Sequence, residues 1–278
     1  MKPFSDRQKA WAEAHVVRGP LRPIASLAYH GLLRAQVAAA GLVPRRPEPV
    51  DASRITAVIK TFERPHACAR LVASLKRLYP AMLIIVVDDS RSPLQLNGVE
   101  TVVLPFDSGV GAGRQAGLDR VGTPFLLNLD DDFLLYGGSH VGAALAALDQ
   151  TPSLDLVGGR VIDLPLLITH DFRRAALFPT KARPKIAPGT RLGQVEVLDK
   201  VPNFFLARTE AVRAVGWNPK LKRLDHADFF TRAKGRIASG MLDDFRVLHL
   251  RDPFNAAYRS FRDDVAADLA YLRSTYSG

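Results

Sequence analysis

The segment Phe125-Leu126-Leu127-Asn128-Leu129-Asp130-Asp131-Asp132-Phe133 decides how this chain folds. Its apolar run follows the turn signal Gly122-Thr123-Pro124 and is too short for a helix, so it predicts a buried β-strand. Three adjacent carboxylates at the end of that strand would repel one another without a cation, and hard oxygen ligands suit Mg²⁺ or Mn²⁺. Taken alone, the triplet leaves two interpretations open: a divalent-metal site or a solvated acidic turn.

The segments before this strand alternate between strand and helix patterns. In chain order they are a strand at Ile55–Ile59, a helix at His66–Tyr79, strands at Met82–Val87 and Val99–Leu104, and a helix from a glycine-rich stretch to about Val121. Continuous apolar strands between helices are typical of a parallel sheet that is covered on both faces. Because ligands bind beyond the carboxyl ends of such strands, we expect Thr61, Asp88, Asp89 and the acidic triplet at one edge.

The second half of the chain adds further elements and a basic loop. The predicted elements are a helix near Ser139–Leu148, strands at Leu154–Ile162, Val201–Ala207 and Phe245–Leu250, helices at Glu210–Val215 (capped by Thr209) and Asp225–Lys234, and one amphipathic helix at Asn255–Tyr276. Residues 172–195 carry six basic side chains and no acid, which indicates either a solvated loop or a flap over an anionic substrate.

We expect three parts along the chain. Residues 1–50 form a basic N-terminal leader and linker, residues 51–250 form the α/β domain, and residues 251–278 form the C-terminal helix. The leader has eight basic and three acidic residues, a net of +5, which is half of the formal charge of +10 of the chain. Such a segment can lie on an anionic membrane or pack on its own domain, and its apolar content favours packing slightly.

Composition narrows the class of protein. No apolar run approaches the ~18–20 residues of a membrane span, and no signal-peptide core follows the start, so we expect a cytoplasmic protein, soluble or peripheral on the inner face of the membrane. A single cysteine, Cys68, excludes an internal disulfide framework and a cysteine-based zinc site. The positive charge alone would also suit a nucleic-acid binder, but no binding motif supports one and it would not explain acids gathered at strand ends.

Four stretches together resemble the inverting nucleotide-sugar glycosyltransferases of the GT-A fold, of the family 2 type. They are Val58-Ile59-Lys60-Thr61-Phe62-Glu63-Arg64-Pro65, Val86-Val87-Asp88-Asp89-Ser90, Gly111-Ala112-Gly113-Arg114-Gln115-Ala116-Gly117 and the D-x-D signature in Leu129-Asp130-Asp131-Asp132. The resemblance covers roughly residues 55–250. It implies an α/β protein with a Rossmann-like, mixed, mostly parallel sheet flanked by helices. A dehydrogenase of the Rossmann class is disfavoured because the glycine-rich stretch follows a later strand, not the first.

Three later segments are similar to a narrower group, the β-1,4-N-acetylgalactosaminyltransferase branch. They are Asn203–Thr209, Trp217–Leu221 and Asp225-His226-Ala227-Asp228-Phe229-Phe230, where the branch reads roughly E-H-x-D/E-F-F. Asp225 stands here in place of the usual glutamate. The resemblance implies Asp225 as the general base and Asp228, one helical turn later, as its support. The opposite assignment of the two aspartates remains open.

The resemblance also implies a set of ligand-binding residues. The metal ligands, for Mn²⁺ or Mg²⁺, are expected to be Asp130, Asp132 and His249; the nucleotide-binding residues are expected to be Thr61, Arg64, Asp88, Asp89, Gly113, Arg114 and Asp130. Each has a plainer alternative. Asp88 and Asp89 can cap a turn, the two arginines can be solvated, and His249 can be a half-buried structural residue.

The function implied by the resemblance is transfer of a sugar, GalNAc or GlcNAc, from a UDP-sugar to a hydroxyl of a glycan or glycolipid acceptor. A metal would stabilise the charge of the leaving diphosphate. A non-catalytic nucleotide-sugar or glycan-binding protein of the same fold is the alternative. An anionic membrane surface is left open as a partner, and nucleic acid is not expected to be one.

Overall fold

The computed structural model describes Arg7, Trp11, residues 13–46 and residues 48–276. The rest of the predicted leader and linker, including Pro47, lies outside the described residues, as do the last two positions. The strands are β1 (Ile55–Thr61), β2 (Leu83–Asp88), β3 (Glu100–Val103), β4 (Phe125–Asp130), β5 (Phe133–Leu134), β6 (Leu156–Leu164), β7 (Arg191–Leu192), β8 (Val195–Val197), β9 (Phe205–Arg208) and β10 (Ser239–Leu250). The α-helices are α1 (Arg22–Gly41), α2 (Pro65–Leu78), α3 (Val110–Arg120), α4 (Val141–Gln150), α5 (Thr209–Val215), α6 (Asp225–Ala233), α7 (Ala256–Asp263) and α8 (Ala266–Tyr276).

All of these strands join one sheet, in the order β3-β2-β1-β4-β9-β6-β10-β8-β7, with β5 paired to β10. The longest ladders are parallel: β1 pairs with β2 and β4, and β6 pairs with β10. β9 runs antiparallel between β4 and β6. The predicted α/β class with a mixed, mostly parallel sheet is therefore confirmed. The register sets Thr61 opposite Asp88, and Lys60 opposite Asp130, so the predicted residues meet at one edge.

Apolar side chains cover both faces of the sheet. On one face α2 and α4 bury Leu71, Leu75 and Leu145, and on the other α3 and α6 bury Leu118 and Phe229. Every residue of β1 is buried, as the uninterrupted apolar sequence of a two-sided strand requires.

Helix α1 lies against the sheet through one face only. Leu33, Val37 and Ala40 pack in a third apolar cluster with residues of β6 and β10. The helix runs through Gly31 without a break, and on its opposite face Ile24 and Leu27 are 75% and 78% exposed. No helix among the described residues has the length and apolarity needed to cross a membrane.

Two strand predictions were wrong at their starts. The strand predicted at Val201–Ala207 begins only at Phe205, because Pro202 has no N–H group for a ladder. The strand predicted from Phe245 begins at Ser239 and pairs with both β6 and β8. Asp243 and Asp244 resemble a turn in the sequence, but they fall where the register between β6 and β10 shifts.

Two helix predictions also need correction. The helix predicted at Asn255–Tyr276 is two helices, α7 and α8, with Asn255 capping the first through its side chain. The consecutive Asp263 and Asp264, which are weak helix formers, mark the break. Thr209 does not cap α5: its hydroxyl donates a hydrogen bond to the Thr123 carbonyl at 2.8 Å, and the N-cap position is Arg208.

Candidate active site

A pocket of about 520 Å³ opens at the carboxyl edge of the sheet. The strand ends contribute Lys60, Asp130 and His249 to its lining, while α1 and α7 contribute Tyr29 and Tyr258. The pocket therefore combines the acidic strand ends with two helices that lie far from them in sequence. The other charged lining residues are Arg64, Asp131, Asp132, Arg251, Asp252, Arg259, Arg262 and Asp263.

Arg64 joins the last two acids of the triplet. Its guanidinium donates to Asp132 at 2.6 Å and also contacts Asp131, while the Thr61 hydroxyl donates to Asp131 at 2.7 Å. Burial raises the pKa of the Asp131 carboxyl to about 6, although Arg64 opposes the shift. For Asp132, burial is outweighed by His249 and Arg64, which hold the pKa of this carboxyl below its usual value. The predicted Thr61 and Arg64 thus lie at the acids.

His249 connects the triplet to a further aspartate. Its Nε2 lies 3.2 Å from Asp132 Oδ2, and its Nδ1 lies 2.8 Å from Asp163 Oδ1. Asp163 is buried and also contacts Arg251 at 3.2 Å and His170 at 3.3 Å. Burial disfavours the charged imidazole, but Asp132 and Asp163 together raise the pKa of His249 to about 9. Asp163 fixes the ring so that Nε2 faces Asp132.

Arg114 links the first acid of the triplet to the predicted base. Its guanidinium donates to Asp225 at 2.5 Å and contacts Asp130, and it lies 4.9 Å from the centre of the Trp217 ring. Arg114 and Asp225 are both buried. Burial raises the pKa of the Asp225 carboxyl despite the opposing charge of Arg114. The assignment of Arg114 to the diphosphate stays a prediction, since its charge is used here to hold two carboxylates.

Asp228 has a different environment from Asp225. Its Oδ2 accepts a hydrogen bond from Arg232 Nε at 2.8 Å, and its Oδ1 accepts one from the Tyr276 hydroxyl at 2.7 Å. The carboxylate is buried and joins α6 to the end of α8. These contacts favour the supporting role over the catalytic one.

Asp88 and Asp89 end β2 with mainly local contacts. Asp88 accepts hydrogen bonds from the backbone N–H groups of Ser90 and Leu94, at 2.8 and 2.7 Å. Asp89 pairs with the ammonium of Lys60 and accepts from the Gly109 N–H at 2.8 Å. Asp88 thus caps its own turn, the plainer of the two interpretations, and the nucleotide role of both residues remains a prediction.

The glycine-rich start of α3 packs tightly against its surroundings. The N–H of Gly111 donates to the Leu221 carbonyl at 2.9 Å, and a Cβ on Gly111 would lie 2.0 Å from the Asn218 carbonyl oxygen. A Cβ on Gly113 would lie 2.2 Å from the side chain of Lys60. These glycines allow α3 to approach its neighbours closely. Contact of Gly113 with a nucleotide stays a prediction.

Helix α7 brings aromatic side chains to the same edge. The guanidinium of Arg64 lies 4.0 Å from the centre of the Tyr258 ring. Phe261 meets Phe62 and Phe106 edge-on, with ring centres 5.1 and 6.0 Å apart. The pocket wall beyond the strand ends is therefore partly aromatic.

The donor atoms at the strand ends decide whether a metal ion fits this site. Within the described part of the chain, no group of three or more His, Cys, Asp or Glu side chains is arranged around a common point that could hold one. Asp132 Oδ1, however, is buried and has no hydrogen-bond partner among the described residues, and His249 Nε2 lies beside the other oxygen of that carboxylate. Asp132 would provide an oxygen donor, and His249 a nitrogen donor once its Nε2 has lost its proton, and both donor types fit a divalent ion.

Several residues of the site were not predicted from the sequence. Asp163, Lys60 and Tyr258 contact the predicted residues, and Asp163 and Tyr258 are brought to the site by pairing or packing over a long stretch of chain. Asp131 lay within the quoted triplet without an assigned role. Lys60 precedes Thr61 on β1, and this position at a strand end was the one available signal.

Comparison with known proteins adds an independent line of support. The family model described as glycosyl transferase family 2 matches residues 56–216, more than half of the chain. β-1,4 N-acetylgalactosaminyltransferase 2 of Mus musculus is 34% identical over 238 residues, which cover 80% of this chain and 45% of the mouse protein. β-1,4 N-acetylgalactosaminyltransferase 1 of Homo sapiens is 32% identical over 260 residues, covering 86% of this chain and 46% of the human protein. The chain spans slightly less than half the length of these curated relatives.

Solved structures match the fold. The crystal structure of S. aureus TarS 1-349 in complex with UDP has a TM-score of 0.54 and 16% sequence identity, and the match covers 72% of this chain and 61% of that chain. The complex of the same protein with UDP-GlcNAc has a TM-score of 0.52 at 16% identity, with 71% and 58% covered. At this identity the likeness shows that the two chains share a fold.

Proposed function

Since the chain belongs to glycosyl transferase family 2, we propose that it is a metal-dependent inverting glycosyltransferase. The reaction moves a sugar, GalNAc or GlcNAc, from a UDP-sugar to a hydroxyl of a glycan or glycolipid acceptor. The observation that carries the proposal is the convergence of Asp130, Asp132, His249 and Asp225 at the carboxyl edge of one sheet, beside a pocket of about 520 Å³. Buried carboxylates gathered in a cleft are typical of catalytic sites.

The donor sugar is inferred from relatives. The two mammalian relatives are named N-acetylgalactosaminyltransferases, and the TarS structures were solved with UDP and with UDP-GlcNAc. These names support a UDP-linked N-acetylhexosamine as the donor of this chain. They do not separate GalNAc from GlcNAc, and both are kept in the proposal.

Asp132 and His249 would hold the metal, Mn²⁺ or Mg²⁺, with Asp130 at the metal or the ribose. The free, buried Oδ1 of Asp132 supports this assignment. A bound ion would supply positive charge for the diphosphate leaving group. The protein contributes orientation, because Asp163 restrains His249 and Arg64 restrains Asp132.

Asp225 would act as the general base that takes the proton of the acceptor hydroxyl. Burial keeps the pKa of its carboxyl above the ordinary value, which moves this base nearer to neutral pH. Arg114 holds Asp225 beside Asp130, which lines the pocket. Asp228 would support α6 through Arg232 and Tyr276.

The proposed enzyme works at an anionic membrane surface. The basic residues of the first 50 positions favour this location, as does the apolar face that α1 leaves exposed.

The proposal is tested by the variant Asp132→Ala. We expect it to abolish Mn²⁺-dependent UDP binding, measured by calorimetry, and to leave the fold intact by circular dichroism. Asp119→Ala, which removes an exposed carboxylate on α3, is the control and should bind UDP as the wild type does. Unchanged UDP affinity in folded Asp132→Ala would remove the metal assignment.

Turnover separates an enzyme from a binding protein of the same fold. Release of UDP from UDP-GalNAc or UDP-GlcNAc in the presence of Mn²⁺ and an acceptor, and its loss with a chelator, is expected of the transferase. Donor binding without UDP release across a panel of glycan and glycolipid acceptors would favour the non-catalytic alternative.

A further inference from the structure

Helix α1 presents two different apolar faces. Its inner face packs on the domain through Leu33, Val37 and Ala40, and the hydroxyl of Tyr29 donates to the Arg251 carbonyl at 2.9 Å. The orientation of the helix is therefore fixed. Its opposite face points into solvent.

The outer face of α1 is apolar along the length of the helix. Ile24, Leu27 and Leu32 are 75%, 78% and 50% exposed. Small residues fill the positions between and beyond them at helical spacing: Ala28, Gly31, Ala35, Ala38 and Ala39. A helix of 20 residues is about 30 Å long, so the exposed apolar area of this face is larger than that of a single surface leucine. Extended exposed apolar surface of this kind marks an interaction site.

The charged side chains of the segment that carries this face all have one sign, although Arg18 pairs with Asp263 of α7 at 3.2 Å. From Ala14 to Pro47 the sequence contains no Asp or Glu, but it contains five arginines: Arg18, Arg22, Arg34, Arg45 and Arg46. A second copy of the chain, docked face to face, would bring these positive charges together. An anionic lipid surface instead complements both the basic residues and the apolar face.

We propose that the outer face of α1 docks into the headgroup region of an anionic lipid bilayer. Ile24 and Leu27 are the side chains that enter the apolar layer, and Arg34 and Arg46, both exposed, lie near anionic headgroups. This inference narrows the membrane association proposed above to a defined surface, and it does not depend on transferase activity.

Docking on this face would place the active-site pocket close to the membrane surface. Tyr29, on the inner side of the same helix, lines that pocket. Since a helix with its side chains is about 10 Å across, the pocket would lie roughly one helix diameter from the headgroups. The helix thus serves as a wall of the pocket and as the contact with the membrane.

The test is co-sedimentation of the full chain with vesicles of phosphatidylcholine mixed with phosphatidylglycerol. We expect the wild type to bind these vesicles, to bind pure phosphatidylcholine more weakly, and to be released as salt rises. The double variant Ile24→Gln/Leu27→Gln should bind at least about tenfold more weakly, because two apolar side chains no longer leave water. Glutamine keeps the helix propensity high.

A matched control removes exposed apolar side chains elsewhere. Leu83 and Val103, on β2 and β3, are 57% and 52% exposed, and Leu83→Gln/Val103→Gln should bind vesicles as the wild type does. Equal binding by the wild type and the α1 variant, with both folded, would overturn the proposal. The proposal would also be overturned if phosphatidylglycerol did not increase vesicle binding by the wild type and the wild type formed a dimer that the Ile24→Gln/Leu27→Gln variant does not form. UDP binding by the same variants is a separate readout: it reports on the donor site of the proposed function and should not change in any of them, whatever the vesicles show.

Discussion

At the scale of single residues, the three buried acids Asp131, Asp132 and Asp225 differ because their neighbours differ. Arg64 and His249 stabilise the charge of Asp132, whereas burial dominates for Asp131 and raises the pKa of its carboxyl to about 6. Burial also dominates for Asp225. A carboxylate that stays ionised suits a cation, and one with a raised pKa suits proton transfer. This division of labour follows from contacts made across the fold.

The roles of the two aspartates of α6 can be separated by amide substitutions. Asp225→Asn should retain UDP-sugar affinity and lose turnover by ~10²–10⁴, the usual loss for a missing general base. Asp228→Asn should show a smaller loss, because both oxygens of Asp228 are occupied by Arg232 and Tyr276. Initial rates and donor affinity, measured on the same preparations, check both statements.

Donor affinity is the control within that pair, since a loss of affinity in either variant would point to a disturbed pocket. If Asp228→Asn lost more turnover than Asp225→Asn, with donor affinity intact in both, the roles of the two residues would be exchanged.

The imidazole of His226 should make the free energy of unfolding depend on pH. Its Nε2 donates to the Val201 carbonyl at 2.7 Å, and burial, assisted by Lys200, lowers the pKa of the imidazole to about 3. The unfolded chain binds a proton near pH 6.5 and the folded chain does not, so stability is fully present above that pH and falls as the pH drops toward 3. Between pH 7.5 and pH 5 this group should remove on the order of 2 kcal/mol from the free energy of unfolding.

Urea unfolding at the two pH values measures this effect. His226→Gln, whose side-chain amide can keep the bond to Val201, should show a flatter dependence on pH. His66→Gln, an exposed histidine on α2, should retain the slope of the wild type. A slope that is the same in all three proteins would contradict the assignment.

At the scale of elements, α8 positions the helix that carries the proposed base. Asp268 is buried and accepts the backbone N–H groups of Lys222, Arg223 and Leu224, at 2.7 to 3.1 Å. Leu224 is the N-cap residue of α6, and Asp225 is its first residue. Helix α8 is therefore part of the framework that holds the proposed base.

Asp268→Ala should reduce the free energy of unfolding by about 2 kcal/mol, because three backbone donors lose a charged acceptor at a helix start. Urea unfolding measures the change, and Asp264→Ala, an exposed aspartate between α7 and α8, should alter stability little. We also expect Asp268→Ala to lower turnover more than donor affinity. Equal stability of the two variants would show that α8 does not support α6.

The sequence predicted elements well where local pattern decides them. β1, β2 and β4 are continuous apolar runs that can only be buried strands, and their polar ends predicted the edge that carries Thr61, Asp88 and Asp130. The predictions from the sequence were wrong where contacts between distant parts of the chain decide the structure. The early start of β10 at Ser239 depends on its pairing with β6 and β8, which are far away in the chain. Asp163 carries no local signal, because its role comes from the pairing of β6 with β10, opposite His249.

At the scale of the whole molecule, ligand binding should be visible as stability. A ligand that binds only the folded state at 100 times its Kd adds about 2.7 kcal/mol to the free energy of unfolding. We expect UDP with Mn²⁺ to raise the urea midpoint by a corresponding amount, and GDP or dTDP with Mn²⁺ to raise it less. Adding EDTA should remove the effect of UDP. Stabilisation by UDP that survives EDTA would mean that the nucleotide binds without the metal.

The position of β10 has a consequence for synthesis of the protein. This strand comes late in the chain, yet it lies inside the sheet between β6 and β8. While the nascent chain is still on the ribosome, β6 has no partner on that side, and an open apolar edge invites pairing with other chains. The pocket is also incomplete at that stage, because Arg251 and Tyr258, which line it together with Tyr29, have not yet been synthesised. A chain that stops before residue 239 would therefore be exposed to aggregation, and it would lack the site however well its first strands had formed.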